Sequence, residues 1–501
     1  MSLKARIHSN EPLSDSEAAQ VQLLLADTLN RLDDLERERS RCSLPESLMK
    51  LENERRDRSR YAVILKGALS VIRQIPAEIL ADIFLHCRDN DVDAGKYFVA
   101  NPRVAPMLLT HVSSRWRQVS HGTPRLWDRF YLPTTKDPLV NLPLVEQILE
   151  RSSALPLHVR LGQDSDFWLT RDTDAGAFGV VFQQNIRIAQ LQFRMRSVTF
   201  PQHAFEHGKP FHCLTSLRLE LPPFFDVASI LSLFTNAPRL QLLEVIAKGR
   251  LGSSLIPVLP WSQLTYIKLD LPVDFVHVRR ILAQCKSVEQ CDLGELTEGD
   301  EDFAPLQCIC QLDRLEQFTF TSDAAVPEAF LGGFSFPSLL HLTIISAGLA
   351  LNTLPNLHHH SQFNLTHLRL HCVNLYGEEL LQFLYHLSTF QVLELEWCCV
   401  DESLFEAFTY SLVTFTPLLV LPQLRVLKIG NEVTTDLDGL LLAAMLESIC
   451  THSGGRNLAF PVLGEVHLYL EGPLFSAEVE DRLAAVCATS VVVDHVQRSR
   501  A

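Results

Sequence analysis

A short pattern of apolar residues recurs through the C-terminal part of the chain. Its form is L-x-x-L-x-L, in which other apolar residues replace leucine freely, and its copies begin at Leu214, Leu240, Leu264, Val288, Leu315, Leu339, Leu365, Phe390, Leu424 and Leu463. Successive copies begin 26, 24, 24, 27, 24, 26, 25, 34 and 39 residues apart. Because side chains alternate along an extended strand, the fourth and sixth residues of each copy point to the same side. Each copy therefore predicts a strand with one apolar face.

Helical spacing fills several of the segments between these copies. Apolar residues three and four apart occur at Val227, Ile230, Leu231 and Phe234, at Phe275, Val278, Ile281 and Leu282, and at Leu380, Leu384 and Leu387. A strand followed by a helix at a period of 20–29 residues is typical of a leucine-rich-repeat solenoid, whose units stack because none buries its apolar face alone. The sequence predicts such a solenoid over residues 154–501, with an earlier copy of the pattern at Met195, Val198 and Phe200.

The ninth position of these repeats departs from the usual pattern. Asparagine or cysteine is expected there, but only Cys398 fits, and proline takes the place at Pro222 and Pro272. The sequence therefore predicts an irregular array of strands and helices, without a continuous asparagine ladder.

The N-terminal segment, residues 1–60, carries an unusual density of charge, with 11 basic and 12 acidic residues. Its apolar residues recur at threes and fours, at Val21, Leu25, Thr28, Leu32 and Leu35. This pattern predicts an amphipathic helix of about six turns that stops near Pro45. It leaves open whether the apolar face packs on the chain itself or forms a coiled coil with another helix.

Residues 61–133 predict a compact block of short helices. The stretch IRQIPAEILADIFLHC, residues 72–87, has the spacing of a helix that opens at Pro76, with apolar residues at Ile75, Ile79, Leu80, Ile83, Phe84 and Cys87. A second helical face follows at Leu108 or Leu109, Val112, Trp116 and Val119. Residues 134–153 predict a connecting helix. Three short helices bury too little apolar surface for a large hydrophobic core. The stability of a domain of this size therefore often depends on a partner.

Composition and charge narrow the class of protein. Hydrophobic residues make up 47% of the chain and charged residues 21%, as in ordinary folded proteins. The formal charge of −15 argues against a nucleic-acid binder, which needs clustered Lys and Arg. The N-terminus has no secretory signal and no apolar run of about 18 residues occurs, so no membrane association is predicted. The 12 cysteines are then expected to be reduced thiols of an intracellular protein, in the cytoplasm or the nucleus.

Common motifs that carry catalysis are absent from the sequence. It contains no phosphate-binding loop, dinucleotide fingerprint, nucleophile elbow or zinc-protease helix. His358, His359 and His360 form a run that predicts a surface loop, and the cysteines lack the paired spacing of a structural zinc site. The sequence therefore predicts neither an enzyme nor a cofactor nor a metal site.

The helical block resembles an F-box domain. The resemblance lies in IPAEILADIF at residues 75–84, in VSSRWRQVS at residues 112–120, and in Leu126 with Trp127. Ile75 stands where the family usually has leucine, and Ser113 begins a segment that is usually Cys-basic-x-Trp. A long insert at residues 88–107, a charged leading helix and a repeat-like tail are similar to the expanded F-box families of fungi.

The resemblance implies that this block docks on the SKP-type adaptor, and through it the cullin, of a cullin–RING ubiquitin ligase. Carried over by position, the adaptor-binding residues are Ile75, Pro76, Ile79, Leu80, Ile83, Phe84, Val112 and Trp116. One helical face cannot both bind a partner and fill the core, so part of this set packs internally. Pro76, Leu80 and Phe84 are favoured as contacts and Trp116 as core, while Ile79 and Ile83 are left open.

The fold prediction is an α/β protein with a small three-helix F-box domain followed by an irregular leucine-rich-repeat-like solenoid and preceded by an amphipathic or coiled-coil helix. The predicted function is that of a non-catalytic substrate receptor of an SCF-type ubiquitin ligase, whose repeats present a client protein. The alternative is a repeat-based interaction scaffold that acts outside any ligase. Nothing in the sequence identifies the client.

Overall fold

The protein is an α/β protein with a large parallel sheet. The computed structural model describes residues 3–8, 11–93, 101–133, 142–162, 175–194, 210–222, 227–249, 259–298, 309–349, 353–373, 377–387, 389–398, 402–409, 423–432, 436–453, 465–471, 476–487 and 491–495. The chain divides into two compact units, Met1–Arg187 and Ile188–Ala501.

The first unit is mainly helical. Its helices and strands are α1 (Leu3–His8), α2 (Asp15–Arg41), α3 (Pro45–Ala68), α4 (Ala77–Asp93), α5 (Met107–Val112), α6 (Ser114–His121), β1 (Arg129–Pro133), α7 (Leu142–Arg151), β2 (Leu157–Gly162) and α8 (Ala175–Gln183). Three 3₁₀ turns lie at Val71–Arg73, Pro124–Leu126 and Asn185–Arg187. β1 and β2 pair in parallel.

The predicted amphipathic helix is α2, and it packs on the chain itself. Ser14 caps its start together with Glu17, each side chain bonding the other residue's backbone N–H. Val21 and Leu65 lie in one core cluster, which joins α2 to α3. The apolar face is therefore covered within the chain, and of the two possibilities the intramolecular one is found. α2 ends at Arg41, close to Pro45 as expected. The helix that follows, α3, was not predicted; it begins at Pro45 and runs on through residue 60, where the sequence placed a boundary.

The second unit alternates strands and helices. Its elements are β3 (Ile188–Arg194), β4 (Ser216–Leu221), α9 (Val227–Leu231), β5 (Leu242–Ala247), β6 (Tyr266–Asp270), β7 (Val273–Asp274), α10 (Phe275–Leu282), β8 (Gln290–Thr297), β9 (Cys310–Gln311), β10 (Gln317–Ser322), α11 (Glu328–Gly332), β11 (Phe334–Ser335), β12 (His341–Ser346), α12 (Thr353–Ser361), β13 (His367–His371), α13 (Gly377–Leu384), β14 (Val392–Glu396), α14 (Glu402–Phe408), β15 (Val426–Glu432), α15 (Asp436–Ser453), β16 (Glu465–Glu471), α16 (Ala477–Cys487) and β17 (Val491–His495).

The long strands of this unit are neighbours in chain order and parallel. The order is β3-β4-β5-β6-β8-β10-β12-β13-β14-β15-β16-β17, and corresponding positions of the predicted pattern face one another. One such row consists of Leu217, Leu243, Ile267, Cys291, Phe318, Leu342, Leu368, Leu393, Leu427 and Val466. Every member of the row is buried. The predicted strands and their apolar face are confirmed. Since the pattern repeats, parallel pairing sets the same pattern position of successive strands side by side.

The other details of the prediction have different outcomes. The copy proposed at Met195 to Phe200 lies outside the described residues, while the strand before β4 is β3, where Ile188, Leu191 and Phe193 have the same spacing and are buried. The helices predicted from apolar spacing are α9, α10 and α13. The histidine run at residues 358–360 belongs to helix α12, so the loop predicted there is wrong.

Candidate docking surface of the helical segment

The helical segment that resembles an F-box begins with a turn fixed by one arginine. Arg115 on α6 donates hydrogen bonds to the backbone carbonyls of Arg73 and Ile75, immediately before α4. The first turn of α4 then closes with a bond from the Leu80 N–H to the Pro76 carbonyl, 3.0 Å long. These bonds satisfy carbonyls at a chain reversal and tie α6 to the start of α4. Glu78 lies in the first turn of α4, where its charge suits the helix dipole.

One side of α4 is buried against the rest of the segment. Leu80 and Phe84 are 1% and 0% exposed, and the Phe84 ring lies 4.8 Å from the Trp116 ring, centroid to centroid. One turn further on, the buried Arg88 pairs with Asp128 at 2.9 Å and also donates to the Arg125 carbonyl. Burial raises the pKa of the Asp128 carboxyl, and Arg88 opposes that rise. These contacts place the side of α4 that carries Leu80, Phe84 and Arg88 in the interior of the segment.

The second helical face is built by α5 and α6. Ser113 caps α6 by accepting a hydrogen bond from the Trp116 N–H at 3.1 Å, and Arg117 donates to the Thr110 carbonyl at 2.9 Å. The Trp127 indole donates to the Ser120 carbonyl at 2.8 Å and is fully buried. Hydrogen bonds and aromatic packing thus hold a segment whose apolar core is small.

Burial and neighbouring charge also act on His121, at the end of α6. Burial, together with the positive charges of Arg151 and Arg117, lowers the pKa of His121. Arg151 stands over the Trp127 ring at 4.6 Å, a cation–π contact. A positive charge on His121 would add to these two arginines, so this end of the segment favours the neutral imidazole.

Helices α4 and α5 keep aliphatic side chains in solvent. On α4, Ile79 is 52% exposed and Ile83 is 40% exposed; on α5, Leu108 is 43% exposed and Val112 is 51% exposed. Each pair is four residues apart and therefore lies on one face of its helix. Ordinary surface helices place polar residues at such positions, so the two exposed aliphatic pairs are the unusual feature of this segment.

The eight adaptor-binding residues predicted from the resemblance differ in their exposure to solvent. Ile79, Ile83, Val112 and Pro76 are exposed, whereas Ile75 and Trp116 are half-buried. Leu80 and Phe84, which the sequence favoured as contacts, are sealed inside the chain, because Trp116 and neighbouring side chains cover that stripe. The prediction that these two residues are open to a partner is wrong.

Sequence reasoning missed part of the exposed apolar surface. Leu108 was not separated from Leu109, although only the latter is buried. Val71 and Ile72, in the 3₁₀ turn before α4, are 74% and 48% exposed and were not singled out. The i, i+4 spacing of Leu108 with Val112 was the available signal. The predicted insert at residues 88–107 begins within α4, which continues to Asp93.

A cavity of about 360 Å³ lies elsewhere in the first unit, between α7 and α8. Glu146, Leu149, Glu150 and Arg187 are among its lining residues. The Arg187 guanidinium already donates to Ser152 Oγ and to the Leu155 carbonyl. The Arg187 side chain is therefore engaged in fixing the backbone beside this cavity.

No family model matches the chain, and no curated protein matches it. Among the described residues, none of the helices is both long enough and apolar enough to cross a membrane. In the same part of the chain, no three His, Cys, Asp or Glu side chains are grouped so as to hold a metal ion.

Proposed function

We propose that this chain is a non-catalytic substrate-recognition subunit of an SCF-type ubiquitin ligase. The helical segment docks on the SKP-type adaptor, and the second unit, an irregular leucine-rich-repeat-like solenoid, presents an unidentified client protein. An intracellular location, in the cytoplasm or the nucleus, belongs to this proposal.

The observation that carries the proposal is the exposed aliphatic pairs of α4 and α5. Ile79, Ile83 and Val112 lie within the stretches that resemble the F-box pattern, and Leu108 lies one turn before Val112. Together they leave apolar surface in water where a stable domain has no internal reason to do so. Covering such surface stabilises a complex by about 25 cal/mol per Å² before the costs of association are subtracted. The arrangement fits a helix face that a second polypeptide covers.

The second unit supports the bridging part of the proposal. Its strands are parallel, adjacent in chain order and in register at equivalent positions. That is the arrangement expected of stacked repeats, which contact chiefly their neighbours and offer an extended surface for another protein. A receptor of this kind needs no catalytic residue, because it acts by raising the local concentration of client near the ligase.

The test is a binding measurement with purified SKP-type adaptor and the full chain. We expect Ile79→Ser with Ile83→Ser to weaken adaptor binding about tenfold or more, since truncating central apolar contacts costs more than about 1 kcal/mol each. Val63→Ser is the matched control, because Val63 is 69% exposed but lies on α3, outside the F-box-like stretches.

Two results would count against the proposal in different ways. If the adaptor binds the double variant as tightly as the unmodified chain, the docking surface is wrongly placed. If the unmodified chain does not bind the adaptor at all, the ligase function is wrong and the repeat-based scaffold is left as the better explanation.

A further inference from the structure

Two neighbouring strands of the second unit are each followed by a residue with a left-handed backbone. Cys372 follows β13 with a φ of 58°, and Trp397 follows β14 with a φ of 55°. The two positions correspond, since the residues before them, His371 and Glu396, are in register. This backbone region is unfavourable for residues with a Cβ, and a bulky side chain such as that of tryptophan is an outlier there. The conformation of Trp397 therefore needs a physical reason.

Part of the reason lies in the residue that comes next. Cys398 is 1% exposed, and its thiol donates to the Leu370 carbonyl at 3.3 Å. The Trp397 N–H donates to the Gly430 carbonyl at 2.6 Å, which ties the turn to β15. The left-handed residue thus lets the chain leave the strand and bury the cysteine. These contacts require the backbone conformation at position 397, but none of them requires an indole.

The choice of tryptophan at this turn is therefore not explained by the fold. Glycine or asparagine adopts the left-handed conformation at lower cost. At the corresponding place after β12, the small residue Ser346 is buried, because Ile345 is in register with His371. Trp397 is instead 46% exposed, whereas Trp127 and Trp261 are 0% and 1% exposed. A strained backbone that keeps a large aromatic side chain in water is typical of a functional position.

An exposed indole is suited to binding another protein. Tryptophan is enriched among the few residues that carry most of the energy of protein interfaces, since it supplies a large rigid surface. Its ring face also attracts cations, and the indole is the best of the aromatic side chains in this respect. The charges around Trp397 decide which of these properties a partner would use.

The strands beside Trp397 carry an excess of negative charge. Strands β13 to β16 contain two basic residues, Arg369 and Lys428, and five glutamates, Glu394, Glu396, Glu432, Glu465 and Glu471. Both cations are already engaged, because Arg369 contacts Glu396 at 2.7 Å and Lys428 contacts Glu394 at 2.6 Å. Each of β14, β15 and β16 ends in a glutamate, and the last residues of β15 and β16 are in register. An arriving cation would meet an indole and a surplus of carboxylates, whereas an arriving anion would meet neither an open cation nor a favourable field.

We propose that Trp397, with the acidic ends of β14, β15 and β16, is the docking site for a client segment that carries Lys or Arg. The cationic head group lies over the indole face, and the surplus negative charge of these strands attracts it from a distance. This inference rests on the proposed receptor function in that it names the class of segment that the receptor recognises.

The probe is a library of short random peptides displayed on phage and selected against the full chain, followed by binding measurements on single selected peptides. We expect the selected peptides to be enriched in Lys and Arg relative to the library. Replacing the lysine of a selected peptide by norleucine, which keeps the aliphatic stem and removes the charge, should weaken binding about tenfold or more. Added salt should weaken it as well, because it screens the attraction between the charges.

Two variants of the protein test the ring face itself. Trp397→Leu and Trp397→Phe both keep an apolar side chain on the same backbone, but only phenylalanine keeps an aromatic face. We expect Trp397→Leu to weaken binding about tenfold or more and Trp397→Phe to weaken it less. Tyr385→Leu is the matched control, because Tyr385 is 52% exposed and follows α13. Its binding of the selected peptides should stay within about twofold of the unmodified chain.

Trp397→Asn tests whether the fold needs the indole. Asparagine tolerates the left-handed backbone, which offsets the contacts that the half-exposed side chain loses. Its urea midpoint should therefore stay close to that of the unmodified chain, while its binding of the selected peptides falls about tenfold or more. A midpoint well below that of the unmodified chain would show that the indole is a packing residue and would overturn the inference.

Other results would overturn it too. These are selected peptides without an excess of cations, a norleucine peptide that binds as tightly as its parent, equal binding by the leucine and phenylalanine variants, or a selection that recovers no binder. Adaptor binding, measured on the same proteins, separates this inference from the proposed function. Adaptor binding without any peptide binding that depends on Trp397 refutes the client site alone. Binding of cationic peptides at Trp397 by a chain that does not bind the adaptor refutes the ligase function and leaves the site to a scaffold.

Discussion

At the scale of single residues, Gly294 is under a tight steric constraint. The register between β8 and β10 shifts there, since Phe320 faces Leu293 and the next residue faces Glu295. Gly294 is the extra residue of this bulge, and a Cβ at its position would lie 2.8 Å from the Asp270 Cα. Backbone atoms of a packed strand cannot move aside as a flexible side chain can. The bulge therefore requires glycine because of a close approach between strands.

We expect Gly294→Ala to lower the free energy of unfolding of the second unit by about 1–3 kcal/mol, the usual cost of overpacking. Urea denaturation measures the effect. Gly67→Ala, in helix α3, is the control, because a Cβ there meets nothing within 4 Å; it should raise stability by about 0.5–1 kcal/mol. Equal stability of Gly294→Ala and the unmodified chain would contradict the steric argument.

His367 makes the stability of the second unit depend on pH. Burial and the neighbouring His341 lower the pKa of His367, while Glu394 opposes them. In the unfolded chain the group titrates near its ordinary value of about 6.5, so just below that pH the unfolded state binds a proton that the folded state does not. Stability is therefore lost as pH falls through this range and is unaffected by this group above it.

Urea midpoints between pH 8 and pH 5.5 test this linkage. The midpoint of the unmodified chain should fall toward the acidic end, and His367→Gln should fall less over the same range. Carboxylates with lowered pKa, such as Glu447 paired with Arg482, act in a separate and more acidic window. An identical pH dependence for the unmodified chain and His367→Gln would show that this histidine does not contribute.

At the scale of elements, α4 carries two apolar stripes, of which one is buried and the other is exposed. Leu80 and Phe84 lie on the buried stripe, and Ile79 and Ile83 lie on the exposed one. Successive residues of a helix are separated by about 100° around its axis, so neighbouring positions can face different surroundings. The first stripe holds the segment together, and the second is free for the proposed adaptor.

The two stripes predict opposite effects of truncation. Phe84→Ala should cost about 3–5 kcal/mol of stability, because it opens a cavity beside Trp116. Ile83→Ala should stay within about 1 kcal/mol, since its side chain is 40% exposed. Denaturation of the full chain, followed by tryptophan fluorescence, measures both. A large loss for Ile83→Ala, or none for Phe84→Ala, would show that the stripes are assigned the wrong way round.

At the scale of the whole molecule, the second unit is held by contacts between strands that are neighbours in chain order. β12 contributes Leu342 and Ile344 to the buried face, with Phe318 on one side and Leu368 on the other. Because equivalent positions pair in register, each strand-and-helix unit offers a similar packing surface to the units on either side of it. Stability in such an array is approximately the sum of local interfaces.

Removal of a whole unit should therefore be tolerated better than removal of part of one. Deleting residues 341–366 brings the strand that begins at His367 next to the strand that begins at Gln317, with the leucine row continuous. Deleting residues 354–366 leaves β12 without its helix. We expect a cooperative unfolding transition for the first variant and its loss for the second, by circular dichroism. Equal loss of folding in both would mean that the units are not equivalent neighbours.

The sequence by itself determined the ten strands that carry the repeat pattern and several of the helices, among them α2, α9, α10 and α13. A period of 24–27 residues with fixed apolar positions leaves few alternative arrangements. It also located the helical segment and its two apolar faces. It did not decide which stripe of α4 is exposed, since both stripes are apolar and only the contacts of Phe84 with Trp116 and of Arg88 with Asp128 fix the rotation of the helix.

Tertiary structure also decided what covers α2. The partner is α3, whose charge-rich sequence shows little helical periodicity of its own, so the sequence gives no sign of the pairing between these helices. Neighbours on the polar face of the sheet were hidden for a related reason. Thr319 and Thr343 are 24 residues apart in the chain and become neighbours only when parallel pairing sets their register. Local patterns fix the elements, whereas the choice between equally apolar faces depends on contacts between residues distant in sequence.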